Sequence, residues 1–281
     1  MRSLPLPSVT SGDVISLCLS GITDISLQAR VTSISPMLIA SAQDYIAGAT
    51  AERLDQVPQV LSVGMVSKSE LVSLYSSHLS ATRGSARAVY DQLRNSAPNK
   101  KCPLCGVGIV AVLDHHLPKA RYPDLSVVPA NLVPACHQCN DTKKAKYPSH
   151  SGEQTLHPYF DRRLIETQWL SARIERGPPI TISFYSNAPG SWPAVDRQRV
   201  QRHLDVCGLT MVFASNANDD LATLKATLEQ LYERGGPEPV REYLEGERDR
   251  YSSRPNSWQL AMYDALAGDD WFFECGFENI A

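Results

Sequence analysis

Two short cysteine pairs constrain this chain more than any other feature. Cys102 and Cys105 are separated by two residues, as are Cys136 and Cys139, and thirty residues lie between the pairs. Each C-x-x-C can form a tight knuckle that turns two thiolates toward one ion. Two knuckles complete a tetrahedral four-sulfur shell, which suits zinc and leaves no open coordination position. Such a site is structural: it staples a module too small to hold a core of its own. A thioredoxin-like redox centre would need one C-x-x-C at a helix start, not two flanking a charged loop. Cys18, Cys207 and Cys275 are scattered. No apolar run approaches the ~20 residues that span a bilayer. The N-terminal run VISLCL (14–19) is too short and serine-broken for a signal peptide, so the expected location is cytoplasmic, with reduced thiols.

Between and after the knuckles the chain reads LDHHLPKARYPDLSVVPANLVPACHQCNDTKKAK from Leu113. GIVAVLDHH (108–116) has the small and branched residues of a strand, and residues 131–135 can form its antiparallel partner. Asp141 onward reads as a helix. Asp114 and Asn140 both offer hard oxygen ligands, which with waters and a phosphate oxygen suit Mg²⁺ or Mn²⁺ better than a second zinc. Neighbours on a strand point apart, so Asp114 and His115 are expected to have different jobs.

These residues carry a resemblance. The segment is similar to the zinc-stapled HNH endonucleases over roughly residues 100–147. The shared pattern is an Asp-His pair followed by a proline (Asp114, His115, Pro118), a middle asparagine before a short strand (Asn131), a C-x-x-C, and a terminal asparagine on a helix with basic residues after it (Asn140, Lys143, Lys144). The resemblance implies a ββα-metal module that hydrolyses DNA phosphodiesters and leaves a 5′-phosphate and a 3′-hydroxyl. Asp114 and Asn140 would hold the catalytic ion. His115 would be the general base, with an ordinary imidazole pKa near ~6.5. Asn131 would orient His115 by accepting from its ring N–H. Some members use a His-His pair with the second as base, which keeps His116 as the alternative; Pro118, three residues after His115, favours His115. Lys119, Arg121, Lys143, Lys144 and Lys146 would contact phosphates. Tyr122 would pack or stack on a base. His137 is expected at the surface, and His78, His150, His157 and His203 as ordinary histidines. RNA stays open as a substrate, as does a zinc-stapled nucleic-acid-binding module that does not cut. The line also resembles bacterial HNH proteins of similar size, some associated with antiphage defence beside a partner ATPase.

Charge supports a polyanion partner at the middle of the chain. Residues 100–146 hold seven Lys or Arg against three Asp or Glu, whereas residues 1–99 balance at seven each. The net charge of −3 therefore leaves −7 on residues 147–281. The basic middle could dock a polyanion, whereas the acidic C-terminal part is a poor nucleic-acid surface that could screen the module from DNA or bind a partner protein.

The expected fold class is α+β, with a central ββα-metal module flanked by mostly helical segments. The expected divisions are 1–98, 99–150 and an acidic 151–281. Residues 1–34 look loosely ordered, and Ser35-Pro36 looks like a helix start. Ser67 and Glu70 form a capping-box pattern before Leu71, Leu74, Tyr75 and Leu79. Gly84 should break that helix, and Ala86, Val89, Tyr90 and Leu93 restart the period. Later, a helix is expected to stop at Gly177, a strand to occupy 178–187, and helices to span 192–206, 219–234 and 239–251. Asn256-Ser257 would cap a last helix through Leu266.

Overall fold

Thr10 and Asp13 cap each other at the start of the first helix, α1 (Ser11–Ser20), the Thr10 hydroxyl accepting from the Asp13 N–H at 3.1 Å. The computed structural model describes residues 1–281 and forms two units, Arg2–Arg162 and Arg163–Ala281. Asp24 then caps a long helix, α2 (Ile25–Thr50), accepting from Ser26 and Leu27 N–H. Residues 11–20 and 25–34 are thus helical rather than loose, with Thr10 and Asp24 as the caps that start the two helices. Pro36 lies inside α2 and does not start it. Hydroxyls of Thr32, Ser33 and Ser35 donate to carbonyls one turn back in the stretch before it.

A two-residue hairpin, β1 (Ser62–Val63) with β2 (Val66–Ser67), leads into α3 (Lys68–Ser73) through the Ser67–Glu70 capping box. A π-helical turn, Leu74–Leu79, continues α3, and α4 (Arg87–Arg94) follows. The period read in the sequence is the buried face here: Leu71, Leu74, Tyr75, Leu79, Val89, Tyr90 and Leu93 are all in the core. Gly84 closes the intervening loop, where an added Cβ would lie 2.2 Å from the His78 carbonyl oxygen.

Strands β3 (Val112–His115) and β4 (Leu132–Ala135) pair antiparallel, with Asp114 opposite Val133 and His115 opposite Leu132. Helix α5 (His137–Lys143) follows at once, starting four residues before the expected Asp141 and ending where Lys144 takes a positive φ of 50°. The ββα order anticipated from the sequence is therefore present. The expected division at 98/99 is not. Leu113, Val127 and Leu132 of the module share one apolar core with Val14, Val31, Leu71 and Leu79 of the N-terminal helices. That burial makes residues 2–162 one body, and the end of the unit falls at 162 rather than 150.

The second unit starts with α6 (Arg162–Glu166), then β5 (Leu170–Glu175) paired antiparallel with β6 (Thr181–Ser186). The helix expected to reach Gly177 is thus only five residues long. Leu170 and Ala172 alternate into the core as strand residues do. Five helices follow: α7 (Ala194–Cys207), α8 (Leu209–Gly235), α9 (Pro237–Tyr251), α10 (Trp258–Ala267) and α11 (Asp270–Glu274). Ser257 caps α10, whereas Asn256 does a different job. Its Oδ1 accepts from the Trp169 and Leu170 N–H groups (2.8 and 3.0 Å), and its Nδ2 donates to the Ile165 and Thr167 carbonyls (2.9 and 2.8 Å). Its φ of 59° suits asparagine better than other side-chain-bearing residues. Asn256→Ala should leave four buried backbone groups unpaired and cost about 3 kcal/mol. Urea unfolding followed by tryptophan fluorescence measures this; a loss below about 1 kcal/mol would mean that these bonds contribute little net stability.

Candidate functional site

Four buried thiols meet at the open end of the β3–β4 hairpin. The Sγ atoms of Cys102, Cys105, Cys136 and Cys139 all lie within 4.8 Å of one another. In the first knuckle Gly106, at φ 75°, donates its N–H to the Cys102 carbonyl at 2.7 Å. The Val107 and Gly108 N–H groups point at the Cys105 sulfur at 3.4 and 3.3 Å. Gly108 has no room for a side chain, since a Cβ there would sit 2.7 Å from the Cys136 sulfur. Cys136 is the N-cap of α5, so the second knuckle is built into a helix start. Hydrogen bonding among the four sulfurs, led by Cys102 and helped by the Gly108 N–H, holds the Cys105 thiol far below its ordinary value. Cys136 is lowered in the same way, with Cys102 again the largest influence. Cys102 is raised by the same network, chiefly by Cys105, so the lowered thiols are Cys105 and Cys136; the buried S₄ cluster is a donor set that could hold a soft divalent ion such as zinc.

The strand that leaves this cluster carries Asp114 and His115. Asp114 and His115 leave β3 in different directions, as adjacent strand residues must. His115 turns toward the N-terminal helices. Its Nε2 lies 2.9 Å from the Ser126 carbonyl oxygen. A carbonyl only accepts, so Nε2 carries the proton and Nδ1 is left as the basic nitrogen. The ring also meets Tyr75 edge-on, with centroids 4.4 Å apart at 68°. Burial, and secondarily the Lys119 charge, pushes the His115 imidazole down to about 3. Ser126 is itself tied down, its hydroxyl donating to the Leu71 carbonyl at 2.8 Å.

Asp114 turns toward α5. The Lys143 ammonium reaches both of its oxygens (3.1 and 3.3 Å) and the His115 carbonyl oxygen (2.7 Å). Burial pushes the Asp114 carboxyl above its ordinary value, and the Lys143 charge and hydrogen bond oppose that. Lys143 is only 3% exposed, so it is removed from the set of expected phosphate contacts: its charge is spent on a buried carboxylate.

Asn131 also differs from expectation. Its Oδ1 accepts from the Leu117 N–H (2.8 Å), and its Nδ2 donates to the Leu117 and Leu125 carbonyls (3.0 and 3.2 Å). It therefore closes the loop between the strands and does not touch the imidazole; the Ser126 carbonyl takes that position. His116 is buried against His157, with ring centroids 4.1 Å apart, away from the Tyr75 side. Tyr122 is buried and packs in the core.

A cavity of about 670 Å³ gathers the remaining candidates: Asp114, His115, Lys119, Asn140 and Lys144 line it, with Tyr75 on one wall. Asn140 donates from Nδ2 to Asp141 at 3.1 Å, which leaves Oδ1 as the atom it can offer a cation. The Asp114 carboxylate and the Asn140 carboxamide on one cavity are both hard oxygen donors. Arg121 and Lys146 are exposed and do not line the cavity; Arg121 lies over the Tyr147 ring at 5.4 Å. His137 is exposed.

No protein-family model matches this chain, and no solved structure does. A curated phage protein does. The relative is protein ea31 of Escherichia phage lambda, 29% identical over 294 residues. The alignment covers 97% of this chain and 99% of ea31, so both units and the cysteine segment fall inside it.

Sequence reasoning missed three contributors: Ser126, Tyr75 and the inward role of Lys143. Tyr75 was visible only as one more periodic core residue. Nothing local marks Ser126 as an acceptor, because it contributes its backbone.

Cys102→Ser should destabilise the Arg2–Arg162 unit and lower bound zinc from one equivalent per chain, checked by metal analysis and thermal unfolding. Purified wild-type protein without zinc would contradict the S₄ assignment. A second prediction concerns acid. The unfolded chain's imidazole titrates near ~6.5, and the folded value of His115 lies below that. Its contribution to stability is full above the unfolded value and is lost as pH falls through the window from about 6.5 toward about 3. His115→Asn should therefore lose less stability than wild type over the roughly 2.5 pH units between 6.5 and 4. Parallel acid dependence of the two proteins in urea melts would refute it.

Proposed function

We propose that this chain is a metal-dependent endonuclease of the HNH type that hydrolyses DNA phosphodiesters. One observation carries the reading: an imidazole held with Nδ1 basic lines the same cavity as the Asp114 carboxylate and the Asn140 carboxamide. In this reading His115 Nδ1 takes the proton from the attacking water. Burial keeps the ring neutral at pH 7, so Nδ1 carries a lone pair for that proton, at the expense of basicity. Asp114 and Asn140 would hold Mg²⁺ or Mn²⁺, which when bound stabilises charge on the phosphate and on the leaving oxygen. Lys143 keeps Asp114 aimed, and Asn131 holds the loop whose Ser126 carbonyl orients the base. Lys119 and Lys144, on the cavity wall, would neutralise the phosphate under attack, and Arg121 and Lys146 its neighbours. The products would be a 5′-phosphate and a 3′-hydroxyl, and a single centre would cut one strand.

A binder that does not cut is the second reading. It is favoured less, because binding alone needs no imidazole held in one tautomer beside a buried carboxylate. The setting we propose is the cytoplasm of a bacterial cell during phage infection, since a relative of matching length is a phage protein. A defence role beside a partner ATPase belongs to the same proposal, and pull-downs from infected cells that return no ATPase would end that part.

Supercoiled plasmid incubated with pure protein and Mg²⁺ or Mn²⁺ should be nicked. EDTA should stop nicking with structural zinc retained. His115→Ala should lose at least about 100-fold in rate, the usual scale of general-base catalysis. Wild-type rate in His115→Ala would sink the base assignment. Cleavage of RNA and not plasmid would move the substrate class, and binding without any cleavage would favour the second reading.

A further inference from the structure

The base is held from two sides, and one of them comes from the N-terminal helices. At Leu74 the α3 segment leaves α-helical geometry. The Ser80 N–H closes a wide i→i+5 turn onto the Tyr75 carbonyl at 2.7 Å. Such π turns add a residue to the helical turn and re-aim the side chains around it, and they concentrate at functional sites. Here the turn sets Tyr75 on the cavity wall. Three contacts then converge on one residue. The Tyr75 hydroxyl donates to the Leu113 carbonyl of β3 at 3.3 Å. The Tyr75 ring makes an edge-to-face contact with the His115 ring, centroids 4.4 Å apart. The Lys119 ammonium lies over the ring at 4.3 Å from its centroid.

A single hydrogen bond to Ser126 fixes one point of the imidazole and leaves its plane free to swing. An edge-on aromatic contact fixes the plane. The same ring attracts the ammonium electrostatically and desolvates it in part. We propose that Tyr75 is a positioning residue that sets the plane of the His115 imidazole and holds the Lys119 ammonium beside it on the cavity. It rests on the nuclease reading for its purpose, but its geometry can be tested without cleavage. Tyr75 touches no reacting atom; it acts through His115 and Lys119. Residues 68–79 would then be part of the active centre and not merely packing around it.

The test uses the full chain with ¹⁵N-labelled histidine, with His115→Ala identifying the His115 signals. Wild type should show the Nε2–H tautomer and a nuclear Overhauser contact between the His115 and Tyr75 rings. Tyr75→Phe keeps the ring and should keep the Nε2–H tautomer and the ring contact with His115. Tyr75→Leu, if folded by thermal unfolding, should mix the tautomers. It should also lower kcat by about tenfold or more, part of the ~100-fold or larger general-base contribution, and raise KM as Lys119 is released. Lys119→Met should raise KM while leaving the His115 tautomer and the Tyr75–His115 ring contact as in wild type. A folded Tyr75→Leu with an unchanged imidazole spectrum overturns the proposal, as does a wild type without the ring contact. If Tyr75→Leu does not fold, Tyr75→Met replaces it and the wild-type ring contact decides. If wild type cuts nothing, the nuclease reading fails while the imidazole spectra still decide the role of Tyr75.

Discussion

Four thiols crowded at one end of a two-stranded hairpin set the register on which the rest of the site depends. Strands of four residues have little to hold them in alignment, and a slip by one residue would exchange the faces of Asp114 and His115. The cysteine cluster pins the end where β3 enters and β4 leaves. At the other end Asn131 closes the loop with three hydrogen bonds to backbone. With both ends held, Asp114 meets α5 and His115 meets the N-terminal helices. The short hairpin can then keep a carboxylate and an imidazole on one cavity although they leave the strand in different directions.

Burial is the second organising force. A carboxylate this buried would favour its protonated form without a partner. Lys143, four residues after the last cysteine, is carried by α5 to the inner side of Asp114. It also donates to the His115 carbonyl, so one ammonium ties the Asp114 side chain to the backbone of the adjacent His115. A pair of this kind gains little net stability, because both ions lose water. What it supplies is geometry: the carboxylate cannot rotate without breaking contact with a fixed charge. His115 is treated in the opposite manner, buried without a carboxylate partner so that the neutral ring is favoured.

Much of the site could be read along the chain. The four cysteines, the two-strand-and-helix order and the gathering of Asp114, His115 and Asn140 on one cavity were all legible, because spacing and residue type carry them locally. The capping box at Ser67 and the core periodicity through Leu93 were legible for the same reason. The loose reading of residues 1–34 failed where serine and threonine serve as caps and as donors within α2, uses that composition alone does not distinguish from disorder. Pro36 misled in a related way, since a proline that usually begins a helix lies in the middle of this one. The short α6 and strand β5 were hidden because Trp169, Leu170 and Ile174 suit a helix face as well as a strand.

By itself the amino-acid sequence determined the four-thiol cluster and which segment brings Asp114, His115 and Asn140 together. Its ligand spacings and turn residues act over a few residues, so they survive without a three-dimensional context. Tertiary structure decided which partner each group takes. Packing of the N-terminal helices onto the hairpin brings Tyr75 and the Ser126 carbonyl to His115, and α5 turns Lys143 inward to Asp114 where solvent-exposed phosphate contact was expected. These choices follow from burial and from contacts between residues up to forty positions apart, such as Tyr75 with His115, and no local pattern encodes them.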